Sequence, residues 1–121
     1  MKLYESSEDY LESILVLSNK NGSVRSIDVV NDLHFSKPSV SVAMKKLREN
    51  GYISIDAKGL ITLTDAGFRV ASKTYERHLL LTKLFVTLGV DEVTARKDAC
   101  RVEHDLSDET FEALKKAMEK K

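Results

Sequence analysis

The 121-residue chain is 42% hydrophobic and 31% charged, an ordinary globular composition that excludes a disordered or fibrous protein. Lys+Arg 19 and Asp+Glu 19 cancel to a formal net charge of +0, so any nucleic-acid-binding surface must be a local patch. The lone Cys100 excludes an intramolecular disulfide and suits a reducing compartment; no signal peptide opens the chain and no apolar run approaches membrane-spanning length, so a cytoplasmic protein without a membrane partner is expected.

Ser6-Ser7 followed by Glu8-Asp9 reads as a helix N-terminus, and Tyr10, Leu11, Ile14, Leu15 and Leu17 continue as an apolar stripe ended by Asn21-Gly22. A short second helix starts at Ser26 with IDVVNDL. Ser36-Lys37-Pro38 opens a third, with Ser36 as cap, Pro38 in the first turn and Val40, Met44 and Leu47 as the buried stripe to about Gly51. YISIDAKGLITLT alternates Ile53 and Ile55, then Ile61 and Leu63, around Asp56-Ala57-Lys58-Gly59, which predicts a two-stranded hairpin. Helical periodicity resumes at Thr64 and persists to Gly89. Two more helices follow, opening at Asp91 and Ser107.

Three helices and then a hairpin is the winged helix-turn-helix order, here followed by a helical region: a mainly α (α+β) fold with a DNA-binding domain over 1–63 and a helical domain over 64–121. The helix opening at Ser36 is the expected recognition helix. Its solvent side carries Lys37, Ser39, Ser41, Val42, Lys45 and Lys46, and Lys58 at the hairpin tip adds another cation. The lysines suit phosphates, while Pro38 and Val42 suit thymine methyls and Ser36 a base edge. Lysines and serines also simply solvate exposed helix faces, and it is the hairpin in the wing position that favours DNA binding. His34, beside Phe35, reads as turn-lining or DNA-proximal and not as a metal ligand.

Cys100, Glu103 and His104 fall at i, i+3 and i+4 in DEVTARKDACRVEHDLSDE, which reads as helix, so a thiol, a carboxylate and an imidazole share one face. Soft, borderline and hard donors together make a partial shell for a divalent transition metal. Further candidates are His78, among Leu79, Leu80, Leu81, Leu84 and Phe85, and the pair Asp9 and Glu12, about 60° apart on the first helix opposite its apolar stripe. Each has an ordinary explanation alone: acids favour a helix N-terminus, a histidine on an apolar helix is commonly a satisfied core imidazole, and a single cysteine is commonly a small buried hydrophobe. Six ligand-type residues on three segments outweigh those explanations.

The segments EDYLESIL, VVNDLHFSKPSVSVAMKKLRENGYI, YERHLLLTKLF and especially DACRVEHDLSDE resemble the diphtheria toxin repressor family of metal-activated repressors along essentially the whole chain. The CxxEH motif followed by LSDE, after a winged helix, is the specific part of that signal. The resemblance implies a metal-dependent repressor of metal-uptake genes that binds palindromic operator DNA as a homodimer, and not an enzyme. It also implies metal ligands at Asp9, Glu12, His78, Cys100, Glu103 and His104. Asp9 stands where the iron-responsive branch has methionine, as in the manganese branch; Cys100 stands where the manganese branch usually has a glutamate able to bridge two ions, as in the iron branch. The implied site is a hybrid for Mn²⁺ or Fe²⁺ with at least one well-formed position, and Co²⁺, Ni²⁺, Zn²⁺ and Cd²⁺ are expected to substitute in vitro. Thr82 replaces an ancillary glutamate of the iron branch, leaving that second site incomplete. The chain ends about where an SH3-like domain of longer members would begin, which resembles the short manganese-responsive branch.

Leu79, Leu80, Leu81, Leu84, Phe85 and Leu88, with a second stripe of Phe111, Leu114 and Met118, are more apolar helix than a monomer of this size buries, and they predict a two-fold dimer. Two rival readings are a metal-independent winged-helix regulator and a small enzyme with Cys100 as nucleophile and His104 as base. The sequence offers the enzyme no oxyanion-hole loop, Gly-rich turn or substrate cleft, so no small-molecule substrate is expected.

Overall fold

A computed structural model of the chain describes residues 5–119 and divides into two compact units between Ser72 and Lys73. The first contains helices α1 (Glu5–Asn21), α2 (Ser26–Leu33) and α3 (Lys37–Glu49), strands β1 (Ile53–Ile55) and β2 (Ile61–Leu63), and the opening turns of α4 (Asp65–Thr87). The second contains the rest of α4, then α5 (Glu92–Val102) and α6 (Asp108–Glu119). The mainly helical fold with a two-stranded wing is the one the sequence predicts. Among the described residues, no helix is long and apolar enough to cross a membrane.

The first unit is built on a continuous apolar core. Leu11, Ile14 and Leu15 of α1, Val29 of α2, Val40, Met44 and Leu47 of α3, and Ile53 and Ile61 of the strands are all buried. Burial of each such side chain stabilises by about 1.5–3 kcal/mol, which a lone two-stranded hairpin cannot supply, so the helices hold the wing in place. The chain is already helical at Glu5, so Ser6 and Ser7 lie inside α1 and do not cap it as the sequence suggested.

Local chemistry sets the boundaries that follow. The N–H of His34, in the left-handed conformation at φ 59, donates to the Val30 carbonyl and ends α2. Ser36 caps α3, accepting from the Ser39 N–H at 3.2 Å, and Pro38 follows in the first turn. The strands pair antiparallel with Ile53 opposite Leu63 and Ile55 opposite Ile61. Between them Asp56 Oδ1 accepts from the backbone N–H groups of Lys58 and Leu60, each at 2.9 Å, and Gly59 supplies the positive φ of the turn. Gly67, near the start of α4, lies so close to Tyr52 that a Cβ would stand 2.0 Å from its carbonyl oxygen.

The second unit has much less apolar core. Leu81, Ala95, Ala99 and Phe111 are buried there, together with the polar Thr74, Arg77 and Glu103. α4 ends in a Schellman arrangement: Val90 N–H donates to the Phe85 carbonyl and Gly89 takes φ +100. Asp91 caps α5 by accepting from Val93 and Thr94, and the Ser107 hydroxyl accepts from the Thr110 N–H at the start of α6. Ion pairs join α4 to α6: Glu76 to Lys115 at 2.8 Å and Lys73 to Asp108 at 2.7 Å. Hydrogen bonding to Lys73 holds the Asp108 carboxyl below its ordinary pKa. Of the apolar arc on α4 only Leu81 is fully buried; Leu79 and Leu88 remain 52% and 72% exposed.

Candidate metal centre

Four of the six candidate ligands belong to the second unit, and its helices bring them together. His78 projects from α4, Cys100 from the last turn of α5, and Glu103 and His104 from the turn that follows. Glu103 is the centre of the group. Its side chain has no solvent exposure, with Oε2 at 2.9 Å from His78 Nδ1 and Oε1 at 3.5 Å from His104 Nε2. Ligand atoms of Cys100, Glu103 and His104 all lie within 4.8 Å of one another.

One feature departs from the sequence reading. α5 ends at Val102, so Glu103 and His104 do not ride on a helical rod. Glu103 is the C-cap and keeps helical dihedrals, φ −58 and ψ −26, with its N–H on the Ala99 carbonyl. The i, i+3 relation to Cys100 therefore survives. His104 falls in a tighter turn, where the Asp105 N–H reaches back to Val102.

A carboxylate taken out of water is costly unless cations or donors surround it. Here each oxygen faces a different imidazole and a thiol stands alongside, the donor set of a divalent transition-metal site. These residues fit such an ion. Asp9 and Glu12, both half-buried, belong to α1 of the first unit. The Thr82 hydroxyl donates to the His78 carbonyl at 2.7 Å and so is occupied within α4.

Sequence reasoning missed Arg77, the residue before His78. Its guanidinium is buried, donates to the carbonyls of Glu103 (3.2 Å) and Leu106 (2.5 Å), pairs with Asp108, and lies 5.2 Å from the centre of the Phe111 ring. The available signal was spacing: Thr74, Arg77 and Leu81 form one buried stripe at helical intervals.

In the first unit all nine candidate DNA contacts are exposed: Ser36, Lys37, Pro38, Ser39, Ser41, Val42, Lys45, Lys46 and Lys58. The Ser36 hydroxyl is engaged at the cap and also donates to Ser39 Oγ at 2.8 Å. A groove of about 300 Å³ between α3 and the wing is lined by Ser41, Val42 and Lys45 and also by Ser26 and Arg48, which the sequence reading did not single out. Arg25 donates to the Lys58 carbonyl at 3.3 Å, tying the wing tip to the start of α2.

Comparison with known proteins identifies the family. Residues 2–59 match the N-terminal DNA-binding domain of iron-dependent repressors, and residues 64–120 match their metal-binding and dimerisation domain. An uncharacterised HTH-type transcriptional regulator of Methanocaldococcus jannaschii is 39% identical over 119 residues, covering 96% of this chain and 94% of its own. The transcriptional regulator MntR of Escherichia coli is 33% identical over 108 residues, 89% of this chain and 70% of that protein. A solved manganese-dependent transcriptional repressor in complex with manganese superposes with TM-score 0.82 at 28% identity over 89% of this chain, which spans half the length of that one. The resemblance read from the sequence is borne out, and the chain belongs to the iron-dependent repressor family of DNA-binding, metal-binding and dimerising transcriptional regulators.

Proposed function

We propose that this protein represses metal-uptake genes by binding palindromic operator DNA as a homodimer when Mn²⁺ or Fe²⁺ is abundant. The observation that carries this reading is the fully buried Glu103 carboxylate between His78 and His104, with Cys100 beside it. The family's metal-binding and dimerisation domain spans the same residues. The ligand set is His78, Cys100, Glu103 and His104 from the helical half, with Asp9 and Glu12 from the DNA-reading half.

When bound, a divalent ion supplies the positive charge that a buried carboxylate and a thiolate require. The chain's own contribution is to place ligands on both halves. A shell shared between them is complete only in arrangements that bring both ligand sets together, which narrows the range of orientations open to each DNA-reading half. In a dimer that range fixes the separation of two recognition helices, which must match major grooves about 34 Å apart. A selection of this kind is typically worth about 1–3 kcal/mol in DNA affinity. On the DNA side, Lys37, Lys45, Lys46 and Lys58 would neutralise phosphates, while Ser36, Pro38, Ser39, Ser41 and Val42 approach the groove.

The ligand assignment is tested with Glu103→Ala and His104→Ala. Each should lose metal-stimulated DNA binding while the helical circular dichroism signal persists. Retention of the full metal response by both variants would refute the assignment.

A further inference from the structure

We propose that Arg77 is the positioning residue of the metal centre, holding the turn that carries Glu103 and His104 in the geometry a metal ion needs. This rests on the assignment of Glu103 and His104 as ligands.

The last carbonyls of a helix have no partners within it. In many helices a glycine in the left-handed conformation closes the end. Residues 103–107 contain no glycine and none of them has positive φ. The Ala99 and Val102 carbonyls accept from the backbone N–H groups of Glu103 and Asp105, and Arg77 takes the Glu103 and Leu106 carbonyls from another helix. Its Nη1 takes the Glu103 carbonyl at 3.2 Å and the Leu106 carbonyl at 2.5 Å, and its Nη2 takes Asp108 Oδ1 at 2.5 Å. One planar cation thus fixes three positions in a six-residue stretch, with a rigid fork geometry that the compact, freely rotating ammonium of a lysine does not reproduce.

Adjacency on α4 gives this a direct bearing on the ligands. Arg77 holds the backbone of Glu103, and the next residue, His78, meets its carboxylate at 2.9 Å. Glu103 is therefore held at both ends by consecutive residues of one helix. Glu103 still bonds its N–H to α5 at the Ala99 carbonyl, but beyond it the chain leaves the helix, and the turn that carries His104 must be held by something else. The Phe111 ring 5.2 Å from the guanidinium carbon, and Lys73 sharing Asp108 at 2.7 Å, keep Arg77 itself from swinging away.

The test uses the 121-residue chain with Arg77→Lys, Asp108→Asn and Glu103→Ala. Mn²⁺ affinity is measured by calorimetry, Co²⁺ coordination by visible absorption, and stability by thermal melts of the metal-free proteins. Glu103→Ala should lose Mn²⁺ binding. Arg77→Lys should weaken Mn²⁺ binding on the order of ten-fold and alter the Co²⁺ bands, at temperatures where the metal-free variant is still folded. Asp108→Asn, which does not touch Glu103, should shift both readouts the same way by a smaller factor, and it carries the test if Arg77→Lys does not fold. Lower melting temperatures with wild-type Mn²⁺ affinity and an unchanged Co²⁺ spectrum in both variants would reduce Arg77 to a structural residue and overturn the inference, with the ligand assignment intact. Wild-type Mn²⁺ binding by Glu103→Ala would instead remove the ligand assignment, and the inference with it.

Discussion

The two units of this chain are stabilised in different ways. The first buries aliphatic side chains from all of its helices and both strands, and keeps its candidate DNA contacts on the outside. The second buries few apolar groups but encloses Arg77, Thr74 and Glu103, and leaves Leu79, Val86, Leu88 and Val93 exposed. A reader of DNA can be a rigid body whose function is painted on its surface. A sensor must keep charged and polar groups inside, where an ion can alter their energy, and its exposed leucines suit the dimerisation role of its family.

Truncation of a core side chain breaks the comparison most severely. Leu47→Ala, at a position 1% exposed, should cost the first unit about 2–5 kcal/mol in denaturant unfolding. In the second unit, Leu79→Lys or Leu88→Lys should leave the fold intact and weaken dimerisation by about 2 kcal/mol, roughly thirty-fold, by sedimentation equilibrium. Unchanged dimerisation in both would mean that this face is not covered by the second copy. Gly67→Ala should destabilise the first unit by about 1–3 kcal/mol, because the added methyl meets the Tyr52 carbonyl; a neutral result would show that α4 shifts freely there. The smallest effect concerns acid. Lys73 lowers the Asp108 pKa, so the stability Asp108 contributes is present above the ordinary carboxylate pKa and is lost as pH falls through its lowered value. Asp108→Asn should flatten that acid arm in thermal melts against pH, and an identical arm would remove the ion pair from the account.

Elements with local punctuation were legible from residues alone. Ser36-Lys37-Pro38 marks the start of α3 and Asp56 to Gly59 marks the hairpin turn, because cap and turn chemistry is written into neighbouring side chains. The start of α1 was misplaced because two serines resemble a cap wherever they occur. The end of α5 was misplaced for a different reason. Helical spacing runs on through DACRVEHDL with no glycine or proline to stop it, and beyond Val102 the Glu103 and Leu106 carbonyls are taken by Arg77, a residue more than twenty positions away. The same distance hid Arg77, since a charged residue in TYERHLL reads as solvated until a partner segment is in view. The grouping of Cys100, Glu103 and His104 survived that error because Glu103 keeps helical dihedrals past the end of the helix.

The central claim is that metal occupancy governs DNA binding. It is tested most directly by the affinity of the wild-type dimer for operator DNA at one fixed salt concentration, with Mn²⁺ and then with excess chelator. The account predicts that Mn²⁺ tightens binding by about ten-fold or more and that chelator reverses it. Equal affinity in the two conditions would contradict it.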